Sequence, residues 1–189
     1  MSSYYYLISS LSMPVLGEKL PQTLESFMDS CSNWLPDSEY RELEKISLIP
    51  DYERLSKNKL VNQWKNWETC LRNRFAKIRS DNLPKNASTF LQEEKDVFSE
   101  IDKGVQEAYS AENPMLKEKA LDKLRWKELD NMESVNKFNL AILCIYKLRL
   151  MLSEKWIARE SEQGERNLEA TLLKFYSPEK ENEEDVNGQ

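Results

Sequence analysis

The strongest hydrophobic pattern in the chain runs from Val135 to Ala158. Apolar side chains recur there three and four positions apart, the spacing that lines one face of a helix, and others extend the apolar surface to the opposite side. The residues of this pattern are Phe138, Leu140, Ala141, Ile142, Leu143, Ile145, Leu148, Leu150, Met151, Leu152 and Trp156. Because such a helix must be covered on several sides, we expect it to lie at the centre of the fold.

A second helical pattern runs from Ser56, which we expect to cap the helix, to about Ser80. Its apolar face consists of Leu60, Trp64, Trp67, Leu71, Phe75 and Ile78. Its polar face is basic, and Glu68 is the one acidic residue in it. The basic residues are Lys57, Lys59, Lys65, Arg72, Arg74, Lys77 and Arg79. The helix macrodipole favours some positive charge near a helix C terminus, but this concentration exceeds that need.

The segment from Thr89 to Ala108 predicts a third helix, in which Thr89 and Gln92 have the spacing of a capping box. Its acidic residues are Glu93, Glu94, Asp96, Glu100 and Asp102. We expect these residues to face the basic helix, so that the two form an antiparallel hairpin of opposite charge. Gly104 within this segment predicts a close approach to another helix.

Prolines divide the first part of the chain into short helices. Residues 3–11 favour a helix over a strand, because no clear strand partner occurs elsewhere in the sequence. Thr23 is expected to cap the next helix, and either Asp37 or Ser38 the one after it. Pro50 then ends this amino-terminal lobe.

The last third of the chain contains one more strong start signal and a change of composition. Asn113 and Pro114 predict the start of a helix that ends near Met132. Gly164 is a predicted kink, and a last apolar face follows it, formed by Leu168, Leu172, Leu173 and Phe175. From Ser177 onward the sequence is acidic and almost without apolar residues, which predicts disorder.

These patterns predict an all-α protein: one helical-bundle domain of about seven helices with a small proline-punctuated amino-terminal lobe. The low glycine content, four residues in 189, also favours helices over many short strands. We place the helical domain at residues 1–176, with the short-helix lobe at 1–55 and the long-helix bundle at 56–176. Residues 177–189 form the predicted disordered acidic tail.

The composition excludes several classes of enzyme. The chain contains no histidine, which removes Ser-His and Cys-His nucleophile pairs and the common zinc sites. Its three cysteines fit neither a closed disulfide framework nor a CxxC metal motif, which indicates a reducing compartment. A glycine-rich phosphate loop is also missing. We therefore expect a cytoplasmic protein with no metal and no cofactor, in which any catalysis would need carboxylates, lysine or tyrosine alone.

The net charge and the hydropathy of the chain indicate whether it binds nucleic acid or inserts into a membrane. The net charge of −6 provides no global positive field for nucleic acid, so we expect no nucleic-acid partner. Lys147 and Arg149 interrupt the most apolar segment, whereas a membrane-spanning helix needs about 20 mainly apolar residues. We therefore expect no membrane insertion.

Several short motifs are distributed over nearly the whole chain before the acidic tail. They are Tyr4-Tyr5-Tyr6-Leu7-Ile8-Ser9-Ser10-Leu11 before Pro14, Leu24-Glu25-Ser26-Phe27, Asn113-Pro114-Met115, Leu124-Arg125-Trp126, Tyr146-Lys147-Leu148 and Glu154-Lys155-Trp156 with Gly164. Together they resemble a bacterial family of uncharacterised all-helical proteins that are encoded among the genes of V-type ATPases. In those gene clusters the family takes the place of the central-stalk adaptor, which is named the C subunit or the d subunit of the ATPase.

This resemblance implies a non-catalytic structural role. The central-stalk adaptor is all-helical and funnel-shaped, and it seats the foot of the central rotor shaft on the membrane ring. The present chain is shorter, so it would supply only part of that threefold helical architecture. The resemblance also implies protein partners among the rotor or stalk components, and peripheral association with the inner membrane through the ATPase.

The basic helix supplies the candidate residues for contact with such a partner. They are Arg72, Arg74, Lys77 and Arg79. Internal pairing with Glu93, Glu94 and Asp96 is the rival explanation for the same charges. Two other functional classes stay open, namely a basic-helix module that binds RNA or another polyanion, and a helical enzyme.

Overall fold

A computed structural model describes residues 3–53, 56–81, 91–96, 98–135 and 139–160. Within these ranges the chain forms seven α-helices and no strand. The helices are α1 (Ser3–Ser10), α2 (Leu24–Trp34), α3 (Asp37–Lys45), α4 (Lys59–Asp81), α5 (Ser99–Tyr109), α6 (Pro114–Ser134) and α7 (Leu140–Glu160). The predicted all-α fold is confirmed.

Helix α7 contains the longest buried stretch among the described residues. Residues 141–150 are all buried, which is more than two full helical turns. Since consecutive residues of a helix point in all directions around its axis, α7 is enclosed on its whole circumference over this stretch. Ile142, Ile145 and Leu152 belong to the core, so the predicted central helix is confirmed.

The start of α7 differs from the prediction. The helix begins at Leu140, where the Ala141 N–H donates to Asn139 Oδ1 over 3.0 Å, and not at Val135. Val135 is the C-cap residue of α6, and its side chain is 77% exposed. The asparagine cap therefore sets the boundary, although the apolar pattern continues past it. Phe138, which also belonged to the predicted pattern, lies outside the described residues.

Two polar side chains of α7 hold the amino-terminal lobe. The Tyr146 hydroxyl donates to the Ser12 carbonyl oxygen and accepts from Gln22 Nε2, both over 3.0 Å. One turn from the end of the buried stretch, Glu154 Oε1 accepts a 2.7 Å hydrogen bond from the Leu24 N–H. Leu24 is the first residue of α2, so a carboxylate occupies the position that the helix dipole favours for negative charge.

Lys147 makes a third contact of this kind, at the other end of a helix. Its Nζ donates to the carbonyl oxygens of Leu43 and Glu44 over 3.0 and 3.2 Å. These carbonyls lie in the last turn of α3, where positive charge is favourable and partners are otherwise missing. Burial nevertheless lowers the pKa of Lys147, although the neighbouring Cys144 and Glu44 oppose that shift.

Two of the predicted helix starts are confirmed by hydrogen bonds. Thr23 Oγ1 accepts from the Ser26 N–H over 3.2 Å at the start of α2. Asn113 Oδ1 accepts from the Leu116 N–H over 2.8 Å at the start of α6, and Pro114 occupies the first helical position. In both helices the local sequence alone determines the cap.

The predicted caps of α3 and α4 are wrong. Helix α3 starts at Asp37 itself, with Pro36 before it and no side-chain cap, so neither Asp37 nor Ser38 caps it. At α4 the cap is Asn58, whose Oδ1 accepts from the Leu60 N–H over 2.8 Å. Ser56 lies outside the helix because its hydroxyl is hydrogen-bonded to Glu42 of α3.

Helix α5 begins about ten residues later than predicted, at Ser99. Gln92 is not helical because the side chain of Asn73 on α4 binds both its backbone N–H and its backbone carbonyl. Asn73 Nδ2 donates to the Gln92 carbonyl over 2.7 Å, and the Gln92 N–H donates to Asn73 Oδ1 over 3.1 Å. Residues 91–96 therefore run along α4 as a non-helical segment. Thr89, the other half of the predicted capping box, lies outside the described residues.

Gly104 confirms the predicted close approach between helices. A Cβ atom at this position would lie 2.5 Å from Cδ2 of Leu124, so the Leu124 side chain of α6 occupies the space that any larger residue on α5 would need. Helix α5 packs against both α4 and α6.

By its contacts the chain divides into two compact units, residues 1–154 and 155–189, and the described part of the second is residues 155–160. The predicted kink at Gly164, the last apolar face and the acidic tail lie outside the described residues, and the predicted boundaries at 55 and 176 stay predictions. In the described part of the chain, no helix is long and apolar enough to cross a membrane.

Candidate functional site

The four candidate partner-binding residues divide into two pairs. Arg74 and Lys77 face the segment between α4 and α5. Arg74 Nη1 donates to Glu94 over 3.0 Å and its Nε to Asp102 over 2.7 Å, while Lys77 Nζ lies 3.9 Å from Glu94. For Arg74 the structure thus supplies one acidic partner of the rival explanation, Glu94, and a second one outside it, Asp102.

Arg72 and Arg79 lie on another face of α4, and both are exposed. Arg72 Nε donates to Glu68 over 2.8 Å, yet 41% of its side chain is exposed. Arg79 is exposed, and its guanidinium carbon lies 5.9 Å from the centre of the Phe75 ring. No carboxylate among the described residues forms an ion pair with Arg79.

Beneath Arg72 lies a buried ionic network that connects α4 with α6. Both oxygens of Glu68 accept from Arg125, from its Nη2 over 2.7 Å and from its Nε over 2.9 Å. Arg125 Nη1 also donates to Asp122 over 2.6 Å. Glu68 and Asp122 are fully buried, and 9% of the Arg125 side chain is exposed. Arg125 thus binds both buried carboxylates in the interior, and the partly exposed Arg72 is a second partner of Glu68.

The geometry of this network determines its protonation state. Burial by itself would lower the pKa of Arg125, but the charges of Glu68 and Asp122 and their hydrogen bonds raise it further. Arg125 therefore stays charged at every accessible pH. A two-point contact of this kind fixes the orientation of both groups, so Glu68 and Arg125 hold α4 and α6 at a defined distance and rotation.

Sequence reasoning missed this network. Glu68 was seen only as the one acidic residue of the basic helix, and Arg125 only as part of a motif. The spacing of Glu68 with Arg72 and of Asp122 with Arg125 is a local signal for ion pairs. No local signal connects Glu68 with Arg125, because 57 positions separate them.

An open cleft of about 480 Å³ lies above the network, between α4 and α6. We call it the α4–α6 cleft; it is lined by Tyr52, Leu71, Arg72, Asn73, Phe75, Ala76, Arg79, Gln92, Glu118, Leu121 and Arg125. Its lining is about equally polar and apolar, and it includes the exposed residues Arg72 and Arg79. The mixture of apolar surface and exposed cations makes it the best candidate functional site among the described residues.

A second cavity of about 460 Å³ lies at the first turns of α4 and α7. Helix starts can bind anions through unpaired N–H groups. Here, however, Asn58 and Asn139 already accept hydrogen bonds from those turns, and this reduces the cavity's capacity for an anion.

The cysteines are packing residues of the core. Cys31, Cys70 and Cys144 are free and buried. Burial raises the pKa of Cys31 and of Cys144 to about 12, although the charge of Lys147 opposes the shift in both. Their thiolates are therefore scarce at neutral pH. Within the described residues, no group of three or more cysteine and acidic side chains is arranged to hold a metal ion.

The comparisons with known proteins give one match. Residues 98–174 are similar to a family described as "Protein of unknown function (DUF2764)". No curated protein and no solved structure matches the chain. The matched segment includes α5, α6 and α7, and it therefore provides one wall of the α4–α6 cleft and the central helix.

Proposed function

We propose that this protein is a non-catalytic adaptor of a V-type ATPase, which joins rotor or stalk components in the place of the central-stalk adaptor. The connection to the ATPase rests on the resemblance of the short motifs in the sequence. The observation that supports a binding role is the α4–α6 cleft, where the exposed side chains of Arg72 and Arg79 accompany the half-buried side chains of Phe75 and Ala76.

The internal construction of the fold suits an adaptor. The buried polar side chains Tyr146, Lys147 and Arg125 bind other parts of the same chain and hold the helices in fixed positions. A rigid helical body transmits force between two partners with little loss, which is the requirement on a protein at the foot of a rotating shaft. In this proposal the protein is cytoplasmic and reaches the inner membrane only through the ATPase.

The polyanion-binding alternative receives less support from the geometry. Two of the four basic residues on the second half of α4, Arg74 and Lys77, lie beside Glu94, and Asp102 is a further partner of Arg74. Phosphate-backbone binding depends on many cations that are free to release counterions. The pairing lowers the number of such cations on this helix.

Association with the ATPase can be tested directly. A tagged full-length chain is co-expressed with the rotor proteins of the host's V-type ATPase and purified through the tag, and the rotor proteins are quantified by mass spectrometry. We expect them in stoichiometric amounts. Recovery no greater than with an unrelated tagged helical bundle would contradict the proposal.

A further inference from the structure

We propose that the α4–α6 cleft binds an acidic amphipathic helix of a protein partner, in which two carboxylates one heptad apart pair with Arg72 and Arg79. This inference rests on the proposed adaptor function in one respect only, namely that the partner is a component of the ATPase. The chemistry of the occupant follows from the cleft itself.

The spacing along α4 defines the length of the binding surface. Arg72, Phe75, Ala76 and Arg79 are separated by three, one and three positions, so they form one stripe on the helix. Seven residues of helix span about 10 Å, which is the separation of the backbone positions of Arg72 and Arg79, with Phe75 and Ala76 between them. On a second helix that runs alongside, two acidic residues seven positions apart have the same separation.

The opposite wall has a matching stripe. Glu118, Leu121 and Arg125 of α6 also follow helical spacing and line the same cleft. Two facing helices with apolar residues between them form the groove in which an amphipathic helix lays its apolar face. A volume of about 480 Å³ lies in the usual range for binding pockets, and it has room for a few apolar side chains.

The distribution of charge in the cleft favours the carboxylates of a protein helix over the phosphate backbone of a nucleic acid as the bound group. Arg125 is already neutralised by Glu68 and Asp122, and its contribution to the field in the cleft is small. Arg79 lacks a carboxylate partner among the described residues. Arg72 shares Glu68 with Arg125 and donates to the Leu48 carbonyl over 3.3 Å, yet 41% of its side chain is exposed to a further carboxylate. Glu118 on the other wall lies 4.0 Å from Arg125 Nη1 and repels a continuous line of negative charge. Two separated cations beside an acidic residue fit two separated carboxylates.

The first experiment measures binding of a designed probe to the full chain. The probe is a fluorescent helical peptide with two glutamates seven positions apart and leucines at the positions between them that face the cleft. Its control replaces both glutamates with glutamine. We expect the acidic peptide to bind at least tenfold more tightly, and to lose affinity as salt is added. Equal affinity for the two peptides would refute the proposal.

Variants of the protein then locate the site. The double variant Arg72→Gln/Arg79→Gln is compared with Lys57→Gln/Lys59→Gln, which removes the same charge from exposed positions at the other end of α4. We expect about a tenfold loss of affinity in the arginine variant and less than a twofold change in the lysine variant. The same loss in both would mean that net charge, and not the cleft, attracts the peptide.

A charge reversal makes the test independent of folding. Arg79→Glu should bind the original peptide poorly and should recover affinity for a peptide whose matching glutamate is replaced by lysine. Recovery requires a folded cleft, so a misfolded variant cannot imitate it. Ala76→Leu fills the cleft without changing charge and should also weaken binding at least tenfold, because the apolar side chains lose their space. Unchanged binding in Ala76→Leu would overturn the proposed location.

Two further outcomes separate this inference from its alternatives. If single-stranded RNA displaces the peptide at equal concentration in physiological salt, the cleft is a polyanion site and the proposal is wrong. In co-purification with the rotor proteins, Arg79→Glu should lose association. If it keeps full association while its peptide binding is lost, the adaptor function stands and the assignment of the ATPase contact to this cleft fails.

Discussion

The contacts of α7 with the amino-terminal lobe and the junction between α4 and α6 accommodate buried polar groups in two different ways. Toward the lobe, Tyr146 and Lys147 of α7 each donate to backbone carbonyl oxygens. At the junction, Glu68, Asp122 and Arg125 bring full charges together in the interior, and each depends on the others. We expect the first arrangement to tolerate the loss of one member better than the second.

The largest expected effect is therefore at Arg125. Arg125→Ala leaves Glu68 and Asp122 buried without their main partner, and removing one member of a buried pair typically costs about 3–5 kcal/mol. Urea unfolding followed by circular dichroism measures this loss. Arg125→Ala combined with Glu68→Leu and Asp122→Leu serves as the control, because it removes the charges together and should regain much of the stability. A single variant as stable as the wild type would refute the idea of a mutually dependent network.

Removing a polar atom from α7 should have a smaller effect. Tyr146→Phe deletes the hydroxyl that contacts Ser12 and Gln22 but keeps the ring, which lies 4.8 Å from the ring of Phe27. A hydrogen bond of this type contributes about 0.5–1.5 kcal/mol, so the free energy of unfolding should fall by about that amount. A loss as large as that of Arg125→Ala would mean that the two regions do not differ as we describe.

The contribution of Lys147 to the stability of the fold depends on pH. Its pKa in the folded state is below the ordinary value of 10.5, so between the two values the unfolded chain binds more protons than the folded one. The contribution of Lys147 to stability therefore rises with pH through that window and falls as pH is lowered through the folded-state pKa. Thermal melts of the wild type and Lys147→Met across alkaline pH should differ in slope. Parallel curves would contradict the lowered pKa.

The smallest expected effect is at Arg79, the exposed counterpart of Arg125. Because Arg79 lies at the surface, Arg79→Gln should change the free energy of unfolding by less than about 0.5 kcal/mol. Lys103→Gln on α5, whose side chain is 85% exposed, is a suitable reference for such a surface change. A marked destabilisation would show that Arg79 has a structural partner and would remove the reason to assign it a binding role.

The two regions also differ in how far the sequence predicts them. The burial of α7, the caps at Thr23 and Asn113 and the close approach at Gly104 follow from local spacing, and all are confirmed. The late start of α5 follows from contacts between Asn73 and Gln92, and the network follows from Glu68 and Arg125. These are tertiary contacts, which periodicity in a single sequence does not contain. Arg72, Arg74, Lys77 and Arg79 stay predicted partner-binding residues, and the relation to the ATPase stays a prediction.

The contacts of α7 with the amino-terminal lobe have a consequence for synthesis of the chain. The hydrogen bonds of Tyr146, Lys147 and Glu154 span between 103 and 134 positions. A nascent chain therefore completes α2 and α3 long before their anchors leave the ribosome. We expect the lobe to stay loosely formed during translation and to be secured only when α7 emerges, so that α7 sets the time at which the first-made part of the chain becomes protected from proteases.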